Sequence, residues 1–150
     1  MKPFIFKLQT ALDIKLKEED RQKEELYAAT EVYKRNLEVL EDLRYRRAEI
    51  QDILRGQQSG EMDICEIQQC QDFILVLNDR IKKQQETTEI SRQEMERVRS
   101  RLIEIMRDRK VLEKLRAKQH QEYMCEYLRQ EQKQIDEMAM IGYSRKDSAV

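Results

Sequence analysis

Apolar residues recur with a seven-residue period along most of the chain, which is the pattern of a helix that buries one continuous seam. In the second half, the seam positions a and d are filled by Ile67, Ile74, Ile81, Thr88, Met95 and Leu102, and by Cys70, Leu77, Gln84, Ser91, Val98, Ile105 and Leu112. In the first half they are filled by Ile5, Leu12, Glu19, Leu26, Tyr33, Leu40, Arg47 and Leu54, and by Leu8, Lys15, Gln22, Ala29, Asn36, Leu43 and Ile50. Both halves are therefore predicted to be long helices that pack through this seam.

Glycines divide the helical pattern at Gly56, Gly60 and Gly142. Because glycine is enriched just after the last residue of a helix, Gly56 is predicted to end the first helix. Ser59 is a predicted N-cap of the second helix, since serine at that position accepts a hydrogen bond from an otherwise unpaired amide. The predicted organisation is one structural unit with helix one over 3–55, a turn over 56–60, helix two over 61–141 and a flexible tail over 142–150.

The two heptad patterns fit each other in an antiparallel arrangement. Pairing residues whose numbers add to 117 places each a position beside a d position, as in Leu40 with Leu77 and Ile50 with Ile67. The centre of the implied turn then lies between the two glycines of the predicted connection. The fold class predicted from the sequence is all-α, a long antiparallel two-helix coiled-coil hairpin.

The predicted seam is polar in its middle, where 19–36 meets 81–98. Its layers there include Glu19, Gln22, Asn36, Gln84, Thr88 and Ser91. Each of these layers lacks the paired aliphatic side chains that contribute about 1.5–3 kcal/mol each when buried. We therefore expect the middle of the hairpin to open more readily than its ends.

The two predicted helices differ in length, so the second one is expected to overhang the first over 113–141. This overhang would be about 45 Å of helix at 1.5 Å per residue. It nevertheless keeps apolar residues at helical spacing, which are Leu115, Tyr123, Met124, Tyr127, Leu128, Ile135 and Met138. An apolar stripe that continues past its own partner indicates a surface for another protein.

Three further segments contain more apolar or more basic residues than a solvent-exposed helix requires. Phe73 and Val76 add apolar surface beside the seam, which fits a binding patch and simple overpacking equally well. The stretch from Arg97 to Lys118 holds nine basic residues and three acidic ones. This excess of positive charge fits either a solvent-exposed face or a surface that contacts an acidic groove of a partner. The N-terminal stripe around Phe4 is wide enough for a protein contact or, less readily, for a membrane surface.

Composition excludes several classes of function. Charged residues make up 39% of the chain, and three Gly and one Pro leave little for turns, so a compact globular enzyme is not expected. A formal net charge of −1 argues against a general nucleic-acid binder. The longest apolar run, 73–77, is far shorter than the roughly twenty residues of a membrane span. The N-terminus does not have the pattern of a secretory signal, and the three cysteines do not pair by spacing, so we expect free thiols in the cytoplasm.

No set of residues in the sequence has the spacing of a metal-binding, phosphate-binding or catalytic site. His120 is the single histidine and has no cluster of Cys, Asp or Glu at ligand spacing, so a solvated helix position is the better interpretation. The Gly56–Gly60 segment lacks the Lys-Ser/Thr that follows a phosphate-binding loop. We therefore expect no catalytic residues, no metal and no cofactor.

Several segments resemble the FliJ family of bacterial flagellar export. The resemblance lies at the N-terminus in Phe4-x-Phe6-x-Leu8-Gln9-x-x-Leu12-Asp13. Nearer the C-terminus it lies in Lys110-x-x-Glu113-Lys114-Leu115-Arg116, in Glu122-Tyr123, and in Glu131-Gln132-Lys133-x-x-Asp136-Glu137-x-Ala139. No single segment is specific, and the ordered combination carries the resemblance.

Membership of that family implies a non-enzymatic component of the type III export apparatus, in the cytoplasm and peripheral at the inner face of the cell membrane. The implied partners are the hexameric export ATPase, the membrane export gate and export chaperones. In this interpretation the overhang contacts the ATPase, while Phe73 and Val76 contact the gate. Two alternatives remain: a generic scaffold that self-associates through its overhang, and a stalk of another rotary or secretion ATPase.

Overall fold

A computed structural model describes residues 1–57, 60 and 63–149 of the chain. Two helices account for nearly all of them, α1 over Gln9–Gln57 and α2 over Ile64–Asp147, and there is no strand within the described ranges. The two helices contact each other, and the all-helical class predicted from the heptad pattern is confirmed. Helix follows from the sequence because glycine and proline are nearly absent from both segments and apolar residues recur at helical spacing.

The first helix begins later than predicted, at Gln9 instead of residue 3. The Leu8 carbonyl accepts the first helical hydrogen bond, from the Leu12 amide at 3.0 Å. Before it, residues 1–6 are not helical, and burial alternates: Phe4 is half-buried, Ile5 is exposed and Phe6 is buried. Alternation with a period of two is the mark of extended chain, in which neighbouring side chains point in opposite directions. The N-terminal segment therefore uses its two phenylalanines as an extended strap.

The connection between the helices also differs from the prediction. Gly56 lies inside α1, which continues to Gln57, and the residue with positive φ is Gly60 at 128°. The second helix begins at Ile64, where the Asp63 carbonyl accepts hydrogen bonds from the amides of residues 66 and 67 at 3.1 and 3.2 Å. The predicted cap Ser59 lies outside the described residues. A glycine inside a helix is only about 1 kcal/mol less favourable than alanine, so Gly56 alone does not end α1.

The C-terminal tail predicted over 142–150 is helical for most of its length, since α2 runs to Asp147. Gly142 lies within that helix with open space around it. The amide and hydroxyl of Ser148 both donate to the Ser144 carbonyl, at 3.2 and 2.9 Å, which continues the helical pattern by one more turn. The helix continues past Gly142 because one glycine costs only about 1 kcal/mol, which the neighbouring helical turns offset.

The described chain divides into two compact units. Unit 1 comprises Met1–Glu18 with Ile105–Val150, and unit 2 comprises Glu19–Glu104. Within unit 2 the helices are antiparallel, as the pairs Asn36–Thr88 and Arg47–Asn78 show. Its buried apolar side chains are Leu40, Leu77, Ile81, Met95, Val98 and Leu102. Within unit 1 the buried apolar side chains are Phe6, Leu12 and Ile105.

The register of the helix pairing differs from the prediction by one heptad. Paired residue numbers add to 124 for Asn36 with Thr88 and to 125 for Arg47 with Asn78 in unit 2, where 117 was predicted. In unit 1 the ion pair between Lys15 Nζ and an Asp108 carboxylate oxygen, 3.5 Å apart, gives 123. The predicted pair Leu40–Leu77 is therefore wrong, although both side chains are buried in the seam. The connection is longer than predicted, which moves the point of symmetry towards the C-terminus.

A polar layer of unit 2 forms in this register. The Asn36 carbonyl accepts hydrogen bonds from Gln84 Nε2 at 3.0 Å and from Thr88 Oγ1 at 3.4 Å. The Thr88 hydroxyl also lies 2.8 Å from the Gln84 carbonyl of its own helix, so its hydrogen-bonding needs are met within α2. The expected softness of this layer stays a prediction.

Candidate partner-binding surfaces

An aromatic contact in unit 1 ties the N-terminal segment to α2. The ring of Phe4 meets His120 edge-on, with ring centroids 5.1 Å apart and an angle of 83°, and lies 5.6 Å from the ring of Tyr123. The Tyr123 hydroxyl donates to the Lys2 carbonyl at 2.9 Å. We call these four residues the N-terminal clasp. Edge-to-face and tilted geometries are the preferred arrangements of aromatic pairs, so the clasp is a specific contact.

The clasp corrects the predicted extent of the overhang. Residues from 113 onward were expected to lack a partner in the chain, but Tyr123 is half-buried and bonded to the N-terminal segment. His120 is an exposed helix position, as expected, and its ring contacts Phe4. Phe4 with His120 and Lys2 with Tyr123 add to 124 and 125, so the segment continues along α2 in the register of the helices.

Tyr127 continues the aromatic series by one helical turn. Its ring lies 6.4 Å from that of Tyr123, with the two planes at 25°. A hydrogen bond with the carboxylate of Glu131, together with its negative charge, raises the pKa of Tyr127. The phenol therefore keeps its proton and donates it to Glu131, one turn further along α2.

Beyond Tyr127 every described residue of the chain is exposed. The large apolar side chains of this last part of α2 are 55–72% exposed. We call them the distal stripe, which consists of Leu128, Ile135, Met138, Met140, Ile141 and Tyr143. Of the residues predicted to bind a partner, Leu128, Ile135 and Met138 belong to it, Met124 is exposed before it, and Leu115, Tyr123 and Tyr127 are half-buried. The sequence prediction missed the last three members of the stripe because it ended the helix near them.

The second predicted surface lies in unit 2. Phe73 and Val76 are exposed, as is Leu75 between them, while Ile74 is half-buried and Leu77 is fully buried in the seam. A helix that is apolar around its whole circumference cannot bury all of it against one partner helix. The arrangement leaves Phe73 and Val76 accessible to another molecule, as the sequence pattern predicts.

A third exposed apolar surface was not predicted from the sequence. Val32, Val39, Tyr45 and Ile53 are 45–67% exposed on α1 of unit 2, and we call them, with the charged residues among them, the α1 outer face. A groove on it is lined by Val39, Asp42, Leu43, Tyr45, Arg46 and Glu49. The signal was present in the sequence, since Val32, Val39 and Ile53 are spaced by multiples of seven outside the a and d positions.

Among the described residues, no group of three or more His, Cys, Asp and Glu side chains is arranged to hold a metal ion. All three cysteines are free: Cys65 and Cys125 are exposed and Cys70 is half-buried. No helix in the described ranges is both long and apolar enough to cross a membrane. The surfaces with a distinct character are therefore the aromatic and aliphatic ones described above.

Two long contacting helices with exposed apolar faces define a helical protein of the coiled-coil type. The family model described as "Flagellar FliJ protein" matches residues 4–148, which includes the N-terminal strap, all of α1 and all of α2. The chain belongs to the FliJ family, and the resemblance drawn from the sequence is confirmed. No curated protein and no solved structure matched it. Family membership makes it a flagellar protein and indicates a component of flagellar protein export.

Proposed function

We propose that this protein is a non-enzymatic coiled-coil component of the flagellar export apparatus that links the export ATPase ring to the membrane export gate. Family membership supports the flagellar assignment. The observation that carries the linking role is the presence of separate apolar surfaces in the two units, the distal stripe in unit 1 and the Phe73–Val76 patch in unit 2. A link between two partners needs two such surfaces.

The export ATPase hexamer is the proposed partner of the last part of α2. The full set of predicted contacts is Leu115, Tyr123, Met124, Tyr127, Leu128, Ile135 and Met138. Exposure favours the members from Leu128 onward as the docking residues, because large apolar side chains that are exposed together gain most from burial in a partner. Tyr123 is assigned a double role, in the clasp and at the edge of the docking surface.

The membrane export gate is the proposed partner of Phe73 and Val76. Both side chains are exposed beside buried seam residues, so their backbone is held by the packing of unit 2 while their side chains stay accessible. Such rigidly mounted apolar anchors lose little entropy on binding. Proposed placement is in the cytoplasm, peripheral to the membrane, and escort of export chaperones is a further proposed role in keeping with the family.

The ATPase contact is tested by truncating the distal stripe. Leu128→Ala, Ile135→Ala and Met138→Ala together should weaken binding of the purified chain to the export ATPase by at least about tenfold, since each removes an exposed anchor worth about 1 kcal/mol or more. The matched control truncates Ile90, Ile103 and Val111, three exposed apolar residues elsewhere on α2. Equal binding by both triple variants would contradict the proposal.

A further inference from the structure

The α1 outer face carries charges in an ordered arrangement. Arg35 precedes Asp42 by seven residues and Glu49 follows it by seven, while Glu38 precedes it by four and Arg46 follows it by four. All five side chains are exposed. Residues three, four and seven apart share one face of a helix, so these charges lie together. The two residues seven positions from Asp42 have opposite charges, and so do the two residues four positions from it.

The apolar residues nearest Asp42 follow the same symmetry. Val39 lies three residues before Asp42 and Tyr45 three after it, and Val32 and Ile53 lie ten before and eleven after. These four are the exposed apolar members of the face. Reversing the direction of α1 about Asp42 therefore exchanges basic with acidic positions and superposes Val39 on Tyr45, whereas Val32 and Ile53 fall on the positions of Asp52 and Glu31.

We propose that the α1 outer face is the interface of a symmetric dimer with a second copy of this chain. With a two-fold axis beside Asp42 and the two α1 helices antiparallel, Arg35 faces Glu49 of the second copy and Glu38 faces its Arg46. Val39 packs on Tyr45 of the second copy. Each contact occurs twice, as in every isologous interface.

A second copy is favoured over an unrelated helix because the surface is complementary to itself. Recognition of a different protein requires no relation between Arg35 and Glu49 or between Glu38 and Arg46. An isologous contact requires opposite signs at positions that the axis exchanges, which is the observed pattern. The groove at Val39, Tyr45 and Arg46 lies beside the axis, where the two copies approach most closely.

The same geometry sets a limit on the affinity. Asp42 lies at the axis, so the two copies bring their Asp42 carboxylates together, and like charges in contact oppose association. Arg46, one turn further along, offsets part of this repulsion. The dimer is therefore reversible, and it weakens as salt screens the ion pairs.

Sedimentation equilibrium on the full chain tests the proposal with a charge swap. Arg35→Glu or Glu49→Arg alone should raise the dimer dissociation constant by about tenfold, because symmetry turns two attractions into two repulsions. The double variant Arg35→Glu/Glu49→Arg exchanges the partners and should return to within about threefold of the wild type. Glu41→Arg, an exposed charge of α1 off this face, is the matched control and should leave the constant unchanged.

Two further variants probe the axis itself. Asp42→Asn removes the contact between the two like charges and should lower the dimer dissociation constant several-fold. Loss of a surface charge away from the axis should leave that constant unchanged. In a background without the native cysteines, Asp42→Cys should oxidise to a disulfide-linked dimer and Glu41→Cys should not, because only an axial residue meets its own copy. A wild type that stays monomeric at about 0.5 mM overturns the proposal. So does a dimer that is insensitive to Arg35→Glu, or a charge swap that fails to restore association.

Discussion

Gln22 is the most deeply buried polar side chain among the described residues, only 1% exposed in the seam of unit 2. Its amide nitrogen has no hydrogen-bond partner in the structure. A buried donor without a partner costs about 1–3 kcal/mol, because it has lost its hydrogen bonds to water without replacing them. The side chain occupies a d position, where heptad packing calls for leucine.

Replacing this residue should therefore stabilise the protein. Gln22→Leu removes the unpaired amide and keeps most of the side-chain volume, so the free energy of unfolding should rise by about 1–3 kcal/mol. For a chain of this size that corresponds to a melting temperature higher by about 2–4 °C per kcal/mol, measured by circular dichroism. Gln71→Leu, at an exposed position of α2, is the control. A lower melting temperature for Gln22→Leu would mean that the amide oxygen or a bound water makes this glutamine indispensable.

The N-terminal clasp gives a second prediction at a single residue. Phe4→Ala removes both ring contacts, worth about 0.5–1.5 kcal/mol each beyond the buried area, and should release the strap from α2. Hydrogen exchange measured by mass spectrometry should then accelerate in residues 4–8 while the protection of unit 2 stays constant. Ile5→Ala, at a side chain that is 75% exposed, should change neither. Unaltered exchange of the strap in Phe4→Ala would refute the clasp as its anchor.

The heptad pattern predicted both helices but could not determine their alignment. A slip of seven residues returns every a and d position to an equivalent place, so registers that add to 117 and 124 satisfy the apolar pattern equally. A count of apolar positions therefore leaves both alignments open, and the structure shows the one in which Asn36 lies beside Thr88. The strap was missed for a related reason, since the period of two at Phe4 and Phe6 was interpreted as part of a helix.

Engineered disulfides distinguish the two registers. In a background without native cysteines, Asn36→Cys with Thr88→Cys should form a disulfide readily, because these residues are adjacent across the seam of unit 2. Asn36→Cys with Ile81→Cys, a pair that the 117 register would bring together, should remain reduced under the same oxidant. The bond is read as a mobility shift on denaturing gels. Preferential oxidation of the second pair would restore the register that adds to 117.

The surfaces of the molecule were predicted in part. Phe73 and Val76 and the members of the distal stripe up to Met138 were foreseen because they continue or flank an apolar seam. Tyr143 lay in the predicted tail and Met140 and Ile141 at the predicted end of the helix, and the α1 outer face was not predicted because its residues lie outside the a and d positions. The burial of Tyr123 was beyond prediction, since it depends on a non-helical strap from the opposite end of the chain.

The proposed linking role requires that both partners bind at the same time through separate surfaces. The most direct measurement mixes the purified chain with the export ATPase and the cytoplasmic part of the export gate, and determines the composition and mass of the complexes by size-exclusion chromatography with light scattering. The account predicts one complex that contains all three proteins. Leu128→Ala/Ile135→Ala/Met138→Ala should lose the ATPase and keep the gate, and Phe73→Ala/Val76→Ala should lose the gate and keep the ATPase. Complexes that contain only one partner at a time, or a single variant that loses both, would contradict it.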